Sequence, residues 1–223
     1  MRQTIFFTII AILIGAHNLS AQNFSHKEIY DQDFVFTDGL YLTKEDFKNN
    51  SPIEKSQISS ELDHNDLIYF EQLTKNKTIA LYDKLGNEIE IDVSKLFGYC
   101  SDGEIYINCN GFFSKLGIIG GICHFVGTKT IYRYSPNPYM GFRPIGSYWN
   151  SGTTTHEPQQ YIYNFESGLM LEYNSENMKT MLMGDPALHD EYAALSKKKR
   201  NSQMFYYLRL YNEKHPLYIP VYE

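Results

Sequence analysis

The stretch LFGYCSDGEIYINCNGFFSKL, residues 96–116, contains two closely spaced signals for tight antiparallel turns. Asp102-Gly103 and Asn110-Gly111 are dipeptides that favour two-residue hairpin loops, because residues of these types accept positive φ. Runs of apolar, aromatic and β-branched residues flank both dipeptides. The stretch therefore predicts three strands, at residues 96–101, 104–109 and 112–116, joined as an antiparallel meander.

Strand patterns continue on both sides of this stretch. In residues 88–93, EIEIDV, acidic residues alternate with Ile89, Ile91 and Val93, which is the period of a half-buried strand. Short strands joined by hairpin turns indicate an α+β fold that is mainly β, an antiparallel β meander forming a barrel or a sandwich. The remaining predicted strands are residues 67–73, 78–82, 122–126, 130–134, 161–165 and 169–173.

A short N-terminal helix is predicted at residues 44–49, where Thr43 and Asp46 have the spacing of a capping box. C-terminal helices are predicted by a second pattern, in which Asp185-Pro186 is typical of a helix start. Leu188, Tyr192 and Leu195 form one apolar stripe after it, and Phe205, Leu208 and Tyr211 form another. The pattern leaves open whether these stripes belong to one helix or to two.

The first residues, MRQTIFFTIIAILIGAHNLSA, have the layout of a secretory signal peptide. Arg2 precedes an apolar stretch at residues 5–16, and small residues end at Ala21, after which cleavage is predicted. A membrane anchor is the alternative, but the apolar run is well short of the roughly 20 residues that cross a bilayer. We therefore expect a signal peptide at 1–21, a β-rich domain at 22–174 and a C-terminal helical segment at 175–223. This arrangement predicts export to the periplasm or the cell surface.

Charge and composition limit the partners. The 223-residue chain has a net charge of −6 with its histidines neutral, and removal of Arg2 makes that charge more negative. A negative chain repels nucleic acid, so no nucleic-acid partner is predicted. The basic run at residues 197–200 is interpreted as a solvated helix face. No segment after residue 21 is apolar enough to predict an integral membrane span.

Cys123 and His124 are the only adjacent cysteine and histidine in the chain, within GGICHFVG at residues 120–127. Successive strand residues point to opposite faces of a sheet. On a strand the two side chains therefore cannot act together as nucleophile and base, and a packed thiol and a hydrogen-bonded histidine are expected instead. The three cysteines allow one disulfide, more favourably one that includes Cys123, or three buried thiols.

Metal and cofactor motifs are weak. His156 and Glu157 in THEP, residues 155–158, could help to bind a metal only with distant partners, because Pro158 opposes the helix that a zinc motif needs. No catalytic residue, no metal site and no cofactor is predicted.

Residues 135–158 contain four prolines and three glycines without a consistent period, and they predict a long loop. Aromatic side chains in such a loop give large contact area at low entropic cost. The alternative is that these rings fold back and fill one end of a barrel. The candidate binding residues are Tyr139, Phe142, Tyr148, Trp149 and His156.

The chain resembles a group of exported, functionally uncharacterised bacterial proteins. The resemblance rests on the signal ending LSAQ and on DGLYLTKEDFKNNSP, LFGYCSDGEIYIN, GIIGGICHF and the C-terminal region from DPALHDEY to YNEKHP. It implies a periplasmic or outer-surface location and implies no catalytic residues.

Three functions remain open. The first is a non-enzymatic envelope or interaction protein that presents residues 135–158 to an envelope protein or a glycan. The second is a glycan or small-molecule binder with a concave aromatic pocket. The third is a hydrolase assembled from Cys123, His124, His156 and Glu157, which requires a histidine within hydrogen-bond reach of a nucleophile.

Overall fold

The computed structural model describes residues 24–83, 85–134 and 152–222. The helices are α1 Lys44–Lys48, α2 Tyr69–Leu73, α3 Ser175–Met181, α4 Pro186–Ala194 and α5 Lys197–Lys214. Single 3₁₀ turns occupy Lys55–Gln57, Val93–Lys95 and Leu182–Gly184. The strands are β1 Phe24–Ile29, β2 Gly39–Tyr41, β3 Ile58–Ser59, β4 Thr78–Tyr82, β5 Glu88–Asp92, β6 Gly98–Ser101, β7 Glu104–Cys109, β8 Phe112–Ile118, β9 Ile122–Tyr134, β10 Gly152–Asn164, β11 Met170–Glu172 and β12 Tyr218–Tyr222.

One large antiparallel sheet has the strand order β11-β10-β9-β8-β7-β6-β2. Strands β6 to β11 follow each other in space as they do in sequence, so the predicted mainly β meander is confirmed. The order is open at β11 and β2, so the sheet does not close into a barrel. Two smaller sheets, β3-β4-β5 and β1-β12, and the helices pack on it in a sandwich-like arrangement.

Among the described residues, three apolar cores lie on the two faces of the large sheet. One face carries Cys100, Cys123 and Phe125, and it packs against α1 and β12 through Phe47 and Ile219. The opposite face carries two separate cores. At the β2–β6 end it is covered by α2 and the β3-β4-β5 sheet. At the β9–β10 end it is covered by α3, α4 and α5.

The two hairpin turns have the backbone geometry that the sequence predicts. Asp102 and Gly103 have φ of 54° and 72°, and Asn110 and Gly111 have φ of 56° and 85°. Positive φ at both residues of a two-residue loop matches the right-handed twist of the flanking strands. These turns fix the register of β6, β7 and β8.

The predicted helix caps are also present. The Thr43 hydroxyl accepts from the backbone N–H of Asp46, and the Asp46 carboxylate accepts from the backbone N–H of Thr43 at 2.8 Å. Asp185 caps α4 by accepting from the Leu188 N–H at 3.0 Å, with Pro186 at the first helical position. The region after Asp185 forms two helices, which settles the question that the sequence left open.

The prediction of a strand at residues 67–73 is wrong. Residues Tyr69–Leu73 form α2, and its buried side chains are Tyr69, Phe70 and Leu73. Tyr69 and Phe70 lie four and three positions before Leu73, which is the spacing of one helical face rather than of a strand. Leu67 stays 83 % exposed, so the apolar run before the helix is not a buried strand.

The predicted loop at 135–158 is wrong over residues 152–158, which belong to the 13-residue strand β10. The Gln160 carbonyl accepts from the Tyr173 N–H at 2.8 Å on the outer edge of β10. Backbone groups of alternate strand residues point the same way, so Pro158 also faces that edge. A proline has no N–H to leave unpaired there, and strands tolerate it at an edge.

The C-terminal helices are followed by a strand that the sequence analysis does not predict. Residues Tyr218–Tyr222 form β12, which pairs antiparallel with β1. Ile219 of β12 is fully buried in the core beneath the large sheet.

In the described part of the chain, no helix is long and apolar enough to cross a membrane.

We predict that Phe47→Ala lowers the free energy of unfolding by about 3–5 kcal/mol, the usual cost of deleting a buried ring. Phe47 is fully buried, and its ring lies 5.0–5.5 Å from those of Phe36, Tyr41, Phe97 and Phe165. Urea denaturation measures the change. Leu85→Ala is the control, since Leu85 is 86 % exposed and its truncation should change stability by less than about 0.5 kcal/mol. Equal effects of the two variants would contradict the prediction.

Candidate functional site

Cys123 and His124 lie on opposite faces of the large sheet, as their adjacency on a strand predicts. Cys123 is fully buried beside Phe125, and its thiol donates to the Gly120 carbonyl at 3.3 Å. His124 instead lies on the face covered by the C-terminal helices. The two side chains therefore do not form a nucleophile–base pair.

His124 is enclosed by two aromatic rings. Its ring centroid lies 4.8 Å from that of Tyr173 and 4.8 Å from that of Phe205, both in edge-on geometry. Its Nε2 lies 3.0 Å from the Gln160 Oε1. Because an amide oxygen can only accept, Nε2 carries the proton and donates it. Burial lowers the pKa of His124, and the Gln160 hydrogen bond partly opposes this shift.

The three cysteines are free and buried. The alternative of three buried thiols is therefore confirmed, and no disulfide is formed. Burial raises the pKa of each thiol, and it raises the pKa of Cys123 to about 12. A thiol that stays protonated at neutral pH is a poor nucleophile. Cys100, for example, donates its S–H to the Phe36 carbonyl at 3.6 Å.

His156 is exposed on β10, opposite Thr130 of β9. Its Nδ1 lies 3.3 Å from the Thr130 hydroxyl oxygen, and its ring contacts Phe112 at 5.1 Å between centroids. His156 pairs at the level of Thr130 and His124 lies six residues away along β9, so the two histidines are about 20 Å apart. Glu157 forms an ion pair with Arg133 at 2.9 Å.

The proposed hydrolase residues are therefore not brought together. The other candidate binding residues, Tyr139, Phe142, Tyr148 and Trp149, lie outside the described residues. Among the described residues, no group of three His, Cys, Asp or Glu side chains is arranged to hold a metal ion.

The first surface feature is a projecting arm, which we define as residues 130–134 of β9 and 152–157 of β10. Strand β8 pairs with β9 at Leu116 and Phe125, and the same register brings its first residue, Phe112, level with Lys129. Residues 130–134 thus extend past the end of β8. Strand β11 pairs with β10 only at 161–163. In the described ranges, the arm is paired only with itself.

The second feature is a cleft between β10 and α5, which we call the sheet–helix cleft. It encloses about 420 Å³. Strand β10 supplies one wall, α5 supplies the other, and Tyr173, which follows β11, also lines the cleft. Its lining residues are Pro158, Gln159, Gln160, Tyr173, Asn201, Ser202, Met204 and Phe205.

Sequence reasoning did not find this cleft. The sequence predicts that Phe205 shares an apolar stripe with Leu208 and Tyr211, but only Leu208 and Tyr211 are buried. Phe205 is 41 % exposed and lines the cleft. Its position one turn before Leu208 is compatible with burial in the stripe or with exposure at the stripe's edge, because the edge of an apolar helix stripe borders solvent. The sequence signal was therefore present but ambiguous.

Comparison with known families places residues 39–215 in DUF6563, a family of unknown function. That match covers most of the chain, and the protein belongs to this family. Neither a curated protein nor a solved structure matches the chain significantly. The family assignment agrees with the resemblance to functionally uncharacterised proteins and adds no catalytic residue.

We predict that iodoacetamide at about pH 8 labels few of the cysteine thiols in the native protein. After unfolding in urea without reductant, it should label all three cysteines. Burial both blocks access and keeps the thiols protonated. Mass spectrometry counts the added groups. Fewer than three additions in the unfolded state would indicate a disulfide and contradict the structure.

We predict that His124 makes stability depend on pH. Its pKa in the folded state lies below the ordinary value of 6.5, so the unfolded state binds more protons between these values. The contribution of His124 is complete above about pH 6.5 and is lost as the pH falls toward the folded-state pKa. Between about pH 7.5 and 5.5, wild type should lose more stability than His124→Leu in urea denaturation. Equal losses would refute this assignment.

Proposed function

We propose that this chain is an exported, non-enzymatic interaction protein of the bacterial envelope, which binds a partner protein through the projecting arm. The observation that carries the proposal is the exposure of the arm, where Tyr132 is 81 % exposed. A large aromatic side chain left in water at the end of a strand ribbon gains free energy when a partner covers it.

The backbone of the arm favours a protein partner. Thr154 and His156 turn their N–H and C=O groups to the outer edge of β10, on the same side as the Gln160 carbonyl. No strand pairs with these groups within residues 24–83, 85–134 and 152–222. An extended segment of another protein can hydrogen-bond to such an edge by strand addition. Pro158 stops this edge from extending further toward the body of the sheet.

The charges of the arm are already balanced. Arg133 and Glu157 pair across the two strands at 2.9 Å, and both are exposed. An exposed ion pair contributes little to stability. The opposite charges of Arg133 and Glu157 nevertheless cancel, so this pair adds no net charge to the arm. Aromatic and backbone contacts, rather than charge attraction, are therefore expected to dominate partner binding.

The sequence between the two strands supports the same surface. Residues 135–151 connect the paired ends of the arm, Tyr134 and Gly152. They carry Tyr139, Phe142, Tyr148 and Trp149, and aromatic residues are enriched at the energetic centres of protein interfaces. This part of the proposal rests on sequence alone.

Export rests on the signal-peptide pattern of residues 1–21. Cleavage after Ala21 would leave only two residues, Gln22 and Asn23, before β1 begins at Phe24. The folded domain would then start almost at the cleavage site. The proposed location is the periplasm or the cell surface.

We predict that a photo-reactive benzoylphenylalanine in place of Tyr132 captures a discrete partner protein in intact cells. Benzoylphenylalanine is larger than tyrosine, but the exposure of Tyr132 leaves room for the added ring, so the fold should be preserved. The matched control is the same replacement at Tyr82, which is 43 % exposed on the small sheet. Immunoblotting and mass spectrometry of the cross-linked species provide the measurement.

Two results would overturn the proposal. The first is no cross-link from position 132, and the second is the same set of species from positions 132 and 82. A chain that lacks residues 2–21 provides the test of export, since it should stay in the cytoplasm and lose the cross-link.

A further inference from the structure

Two residues that line the sheet–helix cleft, Tyr173 and Phe205, are aromatic, and their rings contact each other. The Tyr173 and Phe205 ring centroids lie 4.9 Å apart, and each lies 4.8 Å from that of His124. His124 is buried and is fixed by its hydrogen bond to Gln160. The contacts with His124 and Tyr173 therefore fix the orientation of the Phe205 ring, although 41 % of Phe205 is exposed. An exposed ring that is held in place loses little entropy when a ligand covers it.

Besides the two aromatic residues, the cleft is lined by polar, uncharged residues together with Pro158 and Met204. Gln159, Gln160 and Asn201 contribute amides, which both donate and accept, and Ser202 contributes a hydroxyl. The Gln160 side-chain oxygen already accepts from His124, and the amide NH₂ of the same side chain is a hydrogen-bond donor. None of the lining residues has a charged side chain.

This lining decides the ligand class. A charged ligand would lose hydration without gaining an opposite charge. A purely apolar ligand, such as an acyl chain, would cover the amides without satisfying them. A sugar ring suits both parts, because its C–H face can lie on an aromatic ring while its hydroxyls exchange hydrogen bonds with amides. The volume of about 420 Å³ falls within the range of small-ligand pockets, roughly 300–1,000 Å³.

We propose that the sheet–helix cleft is a binding site for a neutral oligosaccharide, with Phe205 as the stacking platform and Gln160 and Asn201 as hydrogen-bonding groups. This site is separate from the projecting arm. It uses residues 158–160 of β10, whereas the arm ends at residue 157.

Isothermal titration of the purified protein with chitohexaose, maltohexaose and cellohexaose tests the proposal, with hexagalacturonate as an anionic comparison. At least one neutral hexasaccharide should bind with a Kd of about 1 mM or tighter. Phe205→Ala should weaken that binding at least about tenfold, and Phe205→Trp should retain it. Asn201→Ala should weaken it without removing an aromatic ring.

The matched control is Tyr206→Ala. Tyr206 is the next residue of α5, is 58 % exposed and does not line the cleft, so its removal should leave binding unchanged. Circular dichroism confirms that each variant is folded. The proposal is overturned if no neutral hexasaccharide binds, if binding survives Phe205→Ala, or if hexagalacturonate binds as well as the neutral sugars. Cross-linking from position 132 is measured separately in Phe205→Ala, so failure of one proposal is distinguishable from failure of the other.

Discussion

The pairing of β9 with β10 is the constraint on which the rest of the structure depends. Thirteen residues of each strand are paired in one uninterrupted register, from Ile122 opposite Asn164 to Tyr134 opposite Gly152. Side chains alternate between faces along both strands, so Cys123 and Tyr163 enter one core while His124 and Ile162 face the helices. A one-residue slip would exchange the two sets and place His124 in the aromatic core under the sheet. Packing on both faces opposes that slip.

The same pairing generates both candidate surfaces. Near the body of the protein, β10 meets α5 and forms the cleft wall at residues 158–160. Further along, both strands pass the ends of their neighbours and become the projecting arm. Pro158, which has no backbone N–H to donate at the outer edge of β10, lies where these two regions meet. Both surfaces therefore exist because β9 and β10 remain paired over 13 residues, beyond the ends of their neighbouring strands.

Much of the fold could be predicted because it depends on local chemistry. Asp102-Gly103 and Asn110-Gly111 form turns with positive φ, and Thr43 and Asp185 form caps, through contacts within a few residues. The failures occurred where local signals were ambiguous. Short apolar runs such as residues 67–73 fit a strand or a helical turn, and the prolines of 135–158 suggested a loop although Pro158 is accommodated at a strand edge. The candidate site is less predictable, because its residues come from β10, from Tyr173 just after β11, and from α5, and no sequence spacing connects these segments.

By itself, the sequence determined the mainly β class, the antiparallel meander and the separation of Cys123 from His124, because period-two alternation and turn chemistry act over short distances. Tertiary structure alone decided which face each core covers, that the large sheet stays open, and that β12 returns to pair with β1. It also decided that Phe205 lies beside Tyr173 and His124 rather than inside a buried stripe. The physical reason is that these features depend on contacts between residues far apart in the chain, and their free energies are set by packing that no local pattern records.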